Sequence, residues 1–146
     1  MSEQIDHDEN AVSIHVRRGD YLEPKYWKTT GCVCQLPYYL NAIAEMNKRI
    51  SQPSYYVFSD DIAWVKENLP LPKAFFIDWN KGAESWQDMM LMSRCRHHII
   101  CNSTFSWWGA WLNPRENKTV IMPERWFRHC ETPDICPDKW IKVPIN

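Results

Sequence analysis

The sequence lacks the features that mark membrane-spanning, secreted and repetitive proteins. Its 146 residues include only four glycines and no internal repeat, which excludes a collagen-like or low-complexity chain. No apolar run approaches the roughly 20 residues that span a bilayer. The start, Met1 to Asp6, is acidic where a signal peptide would be basic and then apolar. We therefore expect a cytoplasmic protein without a transmembrane segment, and leave association with a membrane surface open.

An excess of charge of one sign is also missing. Seventeen Lys and Arg residues against eighteen Asp and Glu residues give a net charge of −1, and no basic block stands out. This balance argues against a nucleic-acid partner. The hydrophobic fraction of 45%, with nine tryptophans, indicates one globular domain. We expect that domain over residues 11–146, after a flexible N-terminus at residues 1–10.

The cysteines form no recognisable framework. Six cysteines are below the density of a disulfide scaffold, and their spacing matches no structural zinc site. The residues that could be combined into a metal site are Cys32, Cys34, Cys130, Cys136, His97 and His98. We expect reduced cysteines and no metal.

Strand-like and helix-like segments alternate along the chain. Short apolar runs bounded by turn residues predict five strands: Ala11–Val16, Tyr55–Phe58, Ala74–Ile77, Ile99–Cys101 and Thr119–Met122. Apolar residues at helical spacing predict four helices: Leu36–Ile50, Asp61–Asn68, Glu84–Cys95, and a helix capped by Ser103 that runs through Leu112. This order predicts an α/β fold, a Rossmann-like open parallel sheet with helices on both faces.

Two stretches fit neither pattern. They are the loop from Arg17 to Gln35 and the proline-rich tail from Pro123 to Asn146. Long connections in a compact domain are usually functional or mobile. The tail contains Trp126 and Trp140, so we expect it to pack across the domain surface.

Polar side chains collect where the predicted strands end, and an open parallel sheet binds ligands beyond those ends. The densest group follows the first strand and consists of His15, Arg17, Arg18 and Asp20. A guanidinium matches phosphate oxygens in a bidentate manner, so the paired arginines favour a diphosphate, with Asp20 orienting one of them. The alternatives are a surface Arg–Asp ion pair and a core histidine.

Two further positions carry weaker signals. Ser103 and Thr104 open a helix whose free amides favour phosphate, although an ordinary N-cap explains Ser103 as well. Asp88, early in its helix, could accept two hydrogen bonds from a guanine edge, whereas adenine would leave it unpaired. The alternative for Asp88 is a solvated acid stabilised by the helix dipole.

Four motifs follow one another along the chain. They are the HxRRxD pattern at residues 15–20, the segment 58–61 with Trp64, the segment 88–95 and the segment 102–111. In this order they resemble the α1,2-fucosyltransferases of the bacterial branch of glycosyltransferase family 11. The resemblance covers most of the chain from residue 11 to about residue 127.

This resemblance implies the C-terminal, donor-binding half of a GT-B enzyme that holds GDP-fucose in a Rossmann-like domain without a metal or other cofactor. It assigns catalytic roles to His15, Arg17 and Asp20, and donor binding to Arg17, Arg18, Asp88, Ser103, Thr104 and Ser106. Arg17 would contact the β-phosphate and Asp88 the guanine. Only fourteen residues precede His15, so the family's N-terminal domain, with much of the acceptor site, would be a missing segment or a partner chain.

The implied reaction moves L-fucose from GDP-β-L-fucose to the 2-OH of a terminal galactoside on an acceptor glycan, with inversion, giving an α1,2 linkage. Arg17 would stabilise the charge on the leaving phosphate, and Asp20 and Glu23 are candidate bases. Two alternatives stay open. One is a non-catalytic fragment that binds GDP or a GDP-sugar. The other is a lectin-like domain that uses Trp107, Trp108 and Trp111, although their helical spacing is more typical of a core.

Overall fold

Six parallel strands form one sheet, in the order β3-β2-β1-β4-β5-β6. The computed structural model describes residues 1–146. The strands are β1 (Ala11–Val16), β2 (Ser54–Ser59), β3 (Ala74–Ile77), β4 (His97–Ile99), β5 (Val120–Pro123) and β6 (Ile141–Val143). The chain builds outward from β1 to β3 and then returns to the other side of β1. The strand order therefore reverses between β1 and β4, and folds of this type bind nucleotides at that point.

Six helices accompany the sheet. They are α1 (Ser2–Asp6), α2 (Pro24–Tyr26), α3 (Leu36–Arg49), α4 (Ile62–Asn68), α5 (Trp86–Arg94) and α6 (Thr104–Trp111). Strand side chains alternate between the two faces of the sheet, as parallel strands buried on both faces require. Val57 packs in one core with Tyr39 of α3, while Phe58 packs in the other with Met92 of α5. The predicted α/β sheet with helices on both faces is confirmed.

The N-terminus differs from the expected flexible end at residues 1–10. Residues Ser2–Asp6 form α1, and the side chain of Ile5 is fully buried. Asp6 accepts a hydrogen bond of 2.9 Å from Nε of Arg94, which ties α1 to α5. A second ion pair joins Glu9 to Arg96 at 3.0 Å. The segment is too short to show helical periodicity, so the sequence did not indicate these contacts.

The two stretches without a predicted pattern are also structured. The segment after β1 forms short helical turns over Asp20–Leu22 and Trp27–Gly31, with α2 between them. In the tail, Trp126 and Trp140 are buried, so it packs on the domain as expected. It also adds β6, which was not predicted because this strand has only three residues.

The fourth strand begins two residues earlier than predicted, at His97 instead of Ile99. His98 is fully buried in this strand. Its Nδ1 lies 2.7 Å from Oγ of Ser13, and its Nε2 lies 2.9 Å from Nδ2 of Asn113. These partners satisfy a polar residue inside a strand, which the apolar pattern of the sequence could not indicate.

Candidate functional site

A cleft of about 640 Å³ lies at the carboxyl ends of β1, β2 and β3. This volume falls within the range of ordinary ligand sites. Its polar lining consists of His15, Arg17, Asp20, Ser59, Asp60, Asp78, Asn80, Lys81, Ser85 and Asp88. Its apolar lining consists of Phe58, Ile62, Ile77, Met92 and Phe105. The strand-exit rule therefore predicted the place of the cleft.

Arg17 and Asp20 form a bidentate ion pair at the end of β1. Nε of Arg17 donates to Oδ1 of Asp20 at 3.1 Å, and Nη2 donates to Oδ2 at 2.8 Å. The hydrogen bonds from Arg17 lower the pKa of the Asp20 carboxyl. One edge of the guanidinium is thus fixed, and Nη1 and the second Nη2 hydrogen remain for an anionic ligand.

Asp60 holds the backbone of the loop that carries Arg17. Its two carboxylate oxygens accept hydrogen bonds from the backbone amides of Arg18 at 2.9 Å and Gly19 at 2.8 Å. A Cβ atom at Gly19 would lie 2.6 Å from Oδ2 of Asp60, so a side chain at this position would displace the carboxylate that holds the loop. Asp60 lies in the motif segment 58–61, but the set of predicted site residues did not include it.

Arg18 lies outside the cleft, although its neighbour Arg17 lines it. The Arg18 guanidinium sits 4.1 Å from the ring centroid of Trp64, and its Nε donates to Asp61 at 3.3 Å. Its side chain is only 15% exposed. The two arginines therefore do not form one binding group in this structure. Arg18 instead braces the loop against α4.

The segment that opens α6 contributes only Phe105 to the cleft. We expect from the sequence that Ser103 caps the helix. In the structure it does not, because its Oγ is buried and has no hydrogen-bond partner. Oγ of Ser106 accepts the backbone amide of Cys101 at 3.2 Å, and Thr104 is exposed outside the cleft. Phosphate binding by these three side chains stays a prediction.

His15 faces the cleft from the end of β1. Its Nδ1 lies 3.5 Å from Sγ of Cys101, so Nε2 is the ring nitrogen left for a ligand. Burial, with a smaller effect of the Arg17 charge, lowers the pKa of His15 to about 3. Burial also raises the pKa of the Cys101 thiol to about 12. At neutral pH this pair is therefore an uncharged imidazole beside a protonated thiol, which no sequence signal had indicated.

Acid is expected to destabilise the fold below about pH 6.5. Burial lowers the pKa of both His15 and His98 to about 3, whereas the unfolded chain protonates them near 6.5. The free energy of unfolding is therefore highest above pH 6.5. It decreases as the pH falls from 6.5 towards 3, because the unfolded chain binds protons that the buried rings do not. The slope reaches at most about 1.4 kcal/mol per pH unit for each histidine.

Urea unfolding at about pH 7.5, 6 and 5 measures this slope. In the His98→Gln variant the slope should fall, because one protonation site is gone, while His15 and His97, whose pKa burial also lowers, keep the rest. A free energy of unfolding that is constant over this pH range would contradict the neutral, buried state of both rings.

Asp88 also lines the cleft, where it is partly buried on the first turn of α5. Its Oδ1 accepts a hydrogen bond of 2.7 Å from Nδ2 of Asn80. Burial raises the pKa of the Asp88 carboxyl. The alternative of a freely solvated acid does not describe this residue. Asn80 was not among the predicted site residues.

The remaining candidates lie away from the cleft. No three His, Cys, Asp or Glu side chains converge on a metal position. Trp107 stacks on Trp111 with ring centroids 5.2 Å apart and also contacts Trp140. Trp108 and Trp111 nevertheless remain about half exposed, at 47% and 49%.

None of the helices has the length and apolarity needed to cross a bilayer.

A comparison with known protein families identifies the family of the chain. The model of the family described as Glycosyl transferase family 11 matches residues 1–143. The chain belongs to this family.

Several curated relatives are similar over most of this chain. An α1,2-colitosyltransferase of Escherichia coli is 38% identical over 92% of the chain, and the O-antigen biosynthesis glycosyltransferase WbnK of Escherichia coli is 37% identical over 92%. A galactoside α-(1,2)-fucosyltransferase 1 of Saimiri boliviensis boliviensis is 35% identical over 69% of the chain. The matched regions are 48%, 45% and 28% of these relatives. The chain therefore spans at most about half the length of these family 11 proteins.

Proposed function

We propose that this chain is the donor-binding part of an inverting α1,2-fucosyltransferase that binds GDP-β-L-fucose. In this proposal it corresponds to the C-terminal half of a GT-B enzyme, and a further domain or a partner chain supplies much of the acceptor site. The acceptor is the 2-OH of a terminal galactoside on a surface glycan or polysaccharide, and the enzyme works in the cytoplasm.

One observation carries the proposal. A single cleft contains a partly free guanidinium, Arg17, after β1 and a partly buried carboxylate, Asp88, after β3. The guanidinium suits a diphosphate, and the carboxylate suits a base with N–H donors on its edge, as guanine has. Apolar side chains also line the cleft, for example Ile77 and Met92. Such a surface suits the flat faces of a nucleoside.

In the proposed reaction the acceptor oxygen forms a bond to C1 of fucose, and the bond from C1 to the β-phosphate oxygen breaks. The electron pair of that bond goes to GDP, and Arg17 stabilises the charge that develops there. No metal is needed for this role. Asp20 is a weak base, because its pKa is lowered by Arg17, so its part is to orient the guanidinium. The acceptor proton then passes to a base outside these residues.

The transferred sugar has a second candidate. An α1,2-colitosyltransferase is the relative with 38% identity, so a colitosyl donor deserves the same test as a fucosyl donor. A fucosyl donor and a colitosyl donor both require the same nucleotide site and give the same α1,2 linkage. They differ only in the sugar that the cleft admits.

A transfer assay distinguishes the functions. The chain, assembled with the domain or partner chain that supplies the acceptor site, is incubated with GDP-fucose or GDP-colitose and a β-galactoside, and the product linkage is determined by NMR spectroscopy. An α1,2-linked product supports the proposal and identifies the sugar. Binding of GDP without transfer would support a non-catalytic donor-binding module. Glycan binding that GDP does not affect would contradict the proposal and favour a lectin-like domain.

A further inference from the structure

The segment between β3 and α5 folds into a compact turn that brings Asn80 to Asp88. The backbone amide of Glu84 donates to the carbonyl of Lys81 at 3.1 Å, and that of Ser85 donates to the carbonyl of Gly82 at 3.1 Å. Gly82 has a φ of +57°, a conformation that favours glycine. The turn reverses the direction of the chain. Asn80, which follows β3, therefore lies opposite Asp88 on the first turn of α5.

The contact between Asn80 and Asp88 leaves part of the carboxylate free. Nδ2 of Asn80 donates to Oδ1 of Asp88 at 2.7 Å, and Oδ2 of Asp88 has no hydrogen-bond partner in the structure. Each carboxylate oxygen has two lone pairs, so Oδ1 can also accept a second hydrogen bond. Both residues line the cleft. The amide therefore fixes the plane of the carboxylate and leaves acceptor positions on its open side.

We propose that Asn80 is a positioning residue that orients the Asp88 carboxylate for recognition of a guanine edge. This inference rests on the proposed function. The guanine edge presents two donors, N1–H and the N2 amine, side by side, and both can be accepted only by a carboxylate in one orientation. Adenine presents an acceptor at N1, which would face the carboxylate, and hypoxanthine keeps N1–H but lacks the N2 amine.

A purely structural role of Asn80 predicts a different result. If the amide only held the turn together, its loss would weaken the binding of every nucleotide by a similar factor. If it orients Asp88, its loss reduces the advantage of GDP over IDP, because the second hydrogen bond depends on the orientation. The ratio of the two affinities therefore separates the roles.

The test is calorimetric titration of the whole chain with GDP, IDP and ADP. For Asn80→Ala we expect the GDP affinity to fall about tenfold, which is the size of one hydrogen bond to a charged group. We also expect the ratio of GDP affinity to IDP affinity to fall towards one. Asn80→Leu has a similar size without the donor, and it should lose at least as much GDP affinity as Asn80→Ala. Asn68→Ala is the matched control, because its amide donates to the carbonyl of Trp64, outside the cleft.

The outcomes separate this inference from the proposed function. A wild-type chain that binds GDP no better than ADP contradicts the proposed function and this inference with it. The inference alone is overturned if the wild-type chain selects GDP over ADP while Asn80→Ala and Asn80→Leu keep the wild-type ratio of GDP to IDP affinity. If Asn80→Ala does not fold, Asn80→Leu decides by the same ratio.

Discussion

Replacing Arg17 by alanine is expected to lower the turnover of the assembled transferase by about 10²–10³-fold, the size of one lost charge-stabilising donor. GDP affinity of this chain should fall by at least about tenfold, because a charge-assisted hydrogen bond to phosphate is lost. The fold should persist, because the Arg17 side chain is 36% exposed. Steady-state kinetics and calorimetric titration with GDP measure the two effects.

Arg17→Lys is the matched control for this prediction. Lysine keeps the positive charge but lacks the planar fork that binds both oxygens of Asp20. Its GDP affinity should lie between those of the wild type and Arg17→Ala. Wild-type turnover and affinity in Arg17→Ala would show that the β1 exit is not the phosphate site.

Replacing Asp60 by alanine is expected to weaken GDP binding by about 10–100-fold, although Asp60 need not touch the nucleotide. Its carboxylate accepts the backbone amides of Arg18 and Gly19, which follow Arg17 directly. Without these hydrogen bonds the loop no longer holds Arg17 in one place, so binding must first restore the loop conformation. Titration of the variant with GDP measures the loss.

Asp60→Asn gives an intermediate test, because its amide group retains one acceptor oxygen. It should bind GDP more tightly than Asp60→Ala and less tightly than the wild type. Gly19→Ala should also weaken binding, because its Cβ would lie 2.6 Å from Oδ2 of Asp60. Asp60→Ala and Gly19→Ala act on the same contact. The variant that combines them should therefore bind GDP no more weakly than the weaker of the two single variants. Simple addition of the two losses would argue against a shared cause.

The fold was predictable because the buried strands are short apolar runs separated by helical patterns. The elements that escaped prediction are held by few, distant contacts. The helix α1 depends on Ile5 and on the hydrogen bond between Asp6 and Arg94, and β6 depends on pairing with β5. Contacts of this kind join parts of the chain that are far apart in the sequence, so local patterns do not reveal them.

The candidate site was predictable where the strand-exit rule applies. His15, Arg17, Asp20 and Asp88 all line one cleft. Arg18 was not separable from Arg17 by sequence, because its direction depends on Trp64 and Asp61, more than forty residues away. The contact of Asn80 with Asp88 likewise needed the turn between β3 and α5.

The most direct test of donor binding is thermal unfolding of this chain with and without GDP. At about 100 times its dissociation constant, GDP should stabilise the fold by about 2.7 kcal/mol and raise Tm by roughly 5–10 °C. ADP at the same concentration should produce a much smaller shift, and Arg17→Ala should show little response to GDP. A cooperative unfolding transition that GDP does not move, or that ADP moves equally, would contradict a guanine-nucleotide site in this cleft.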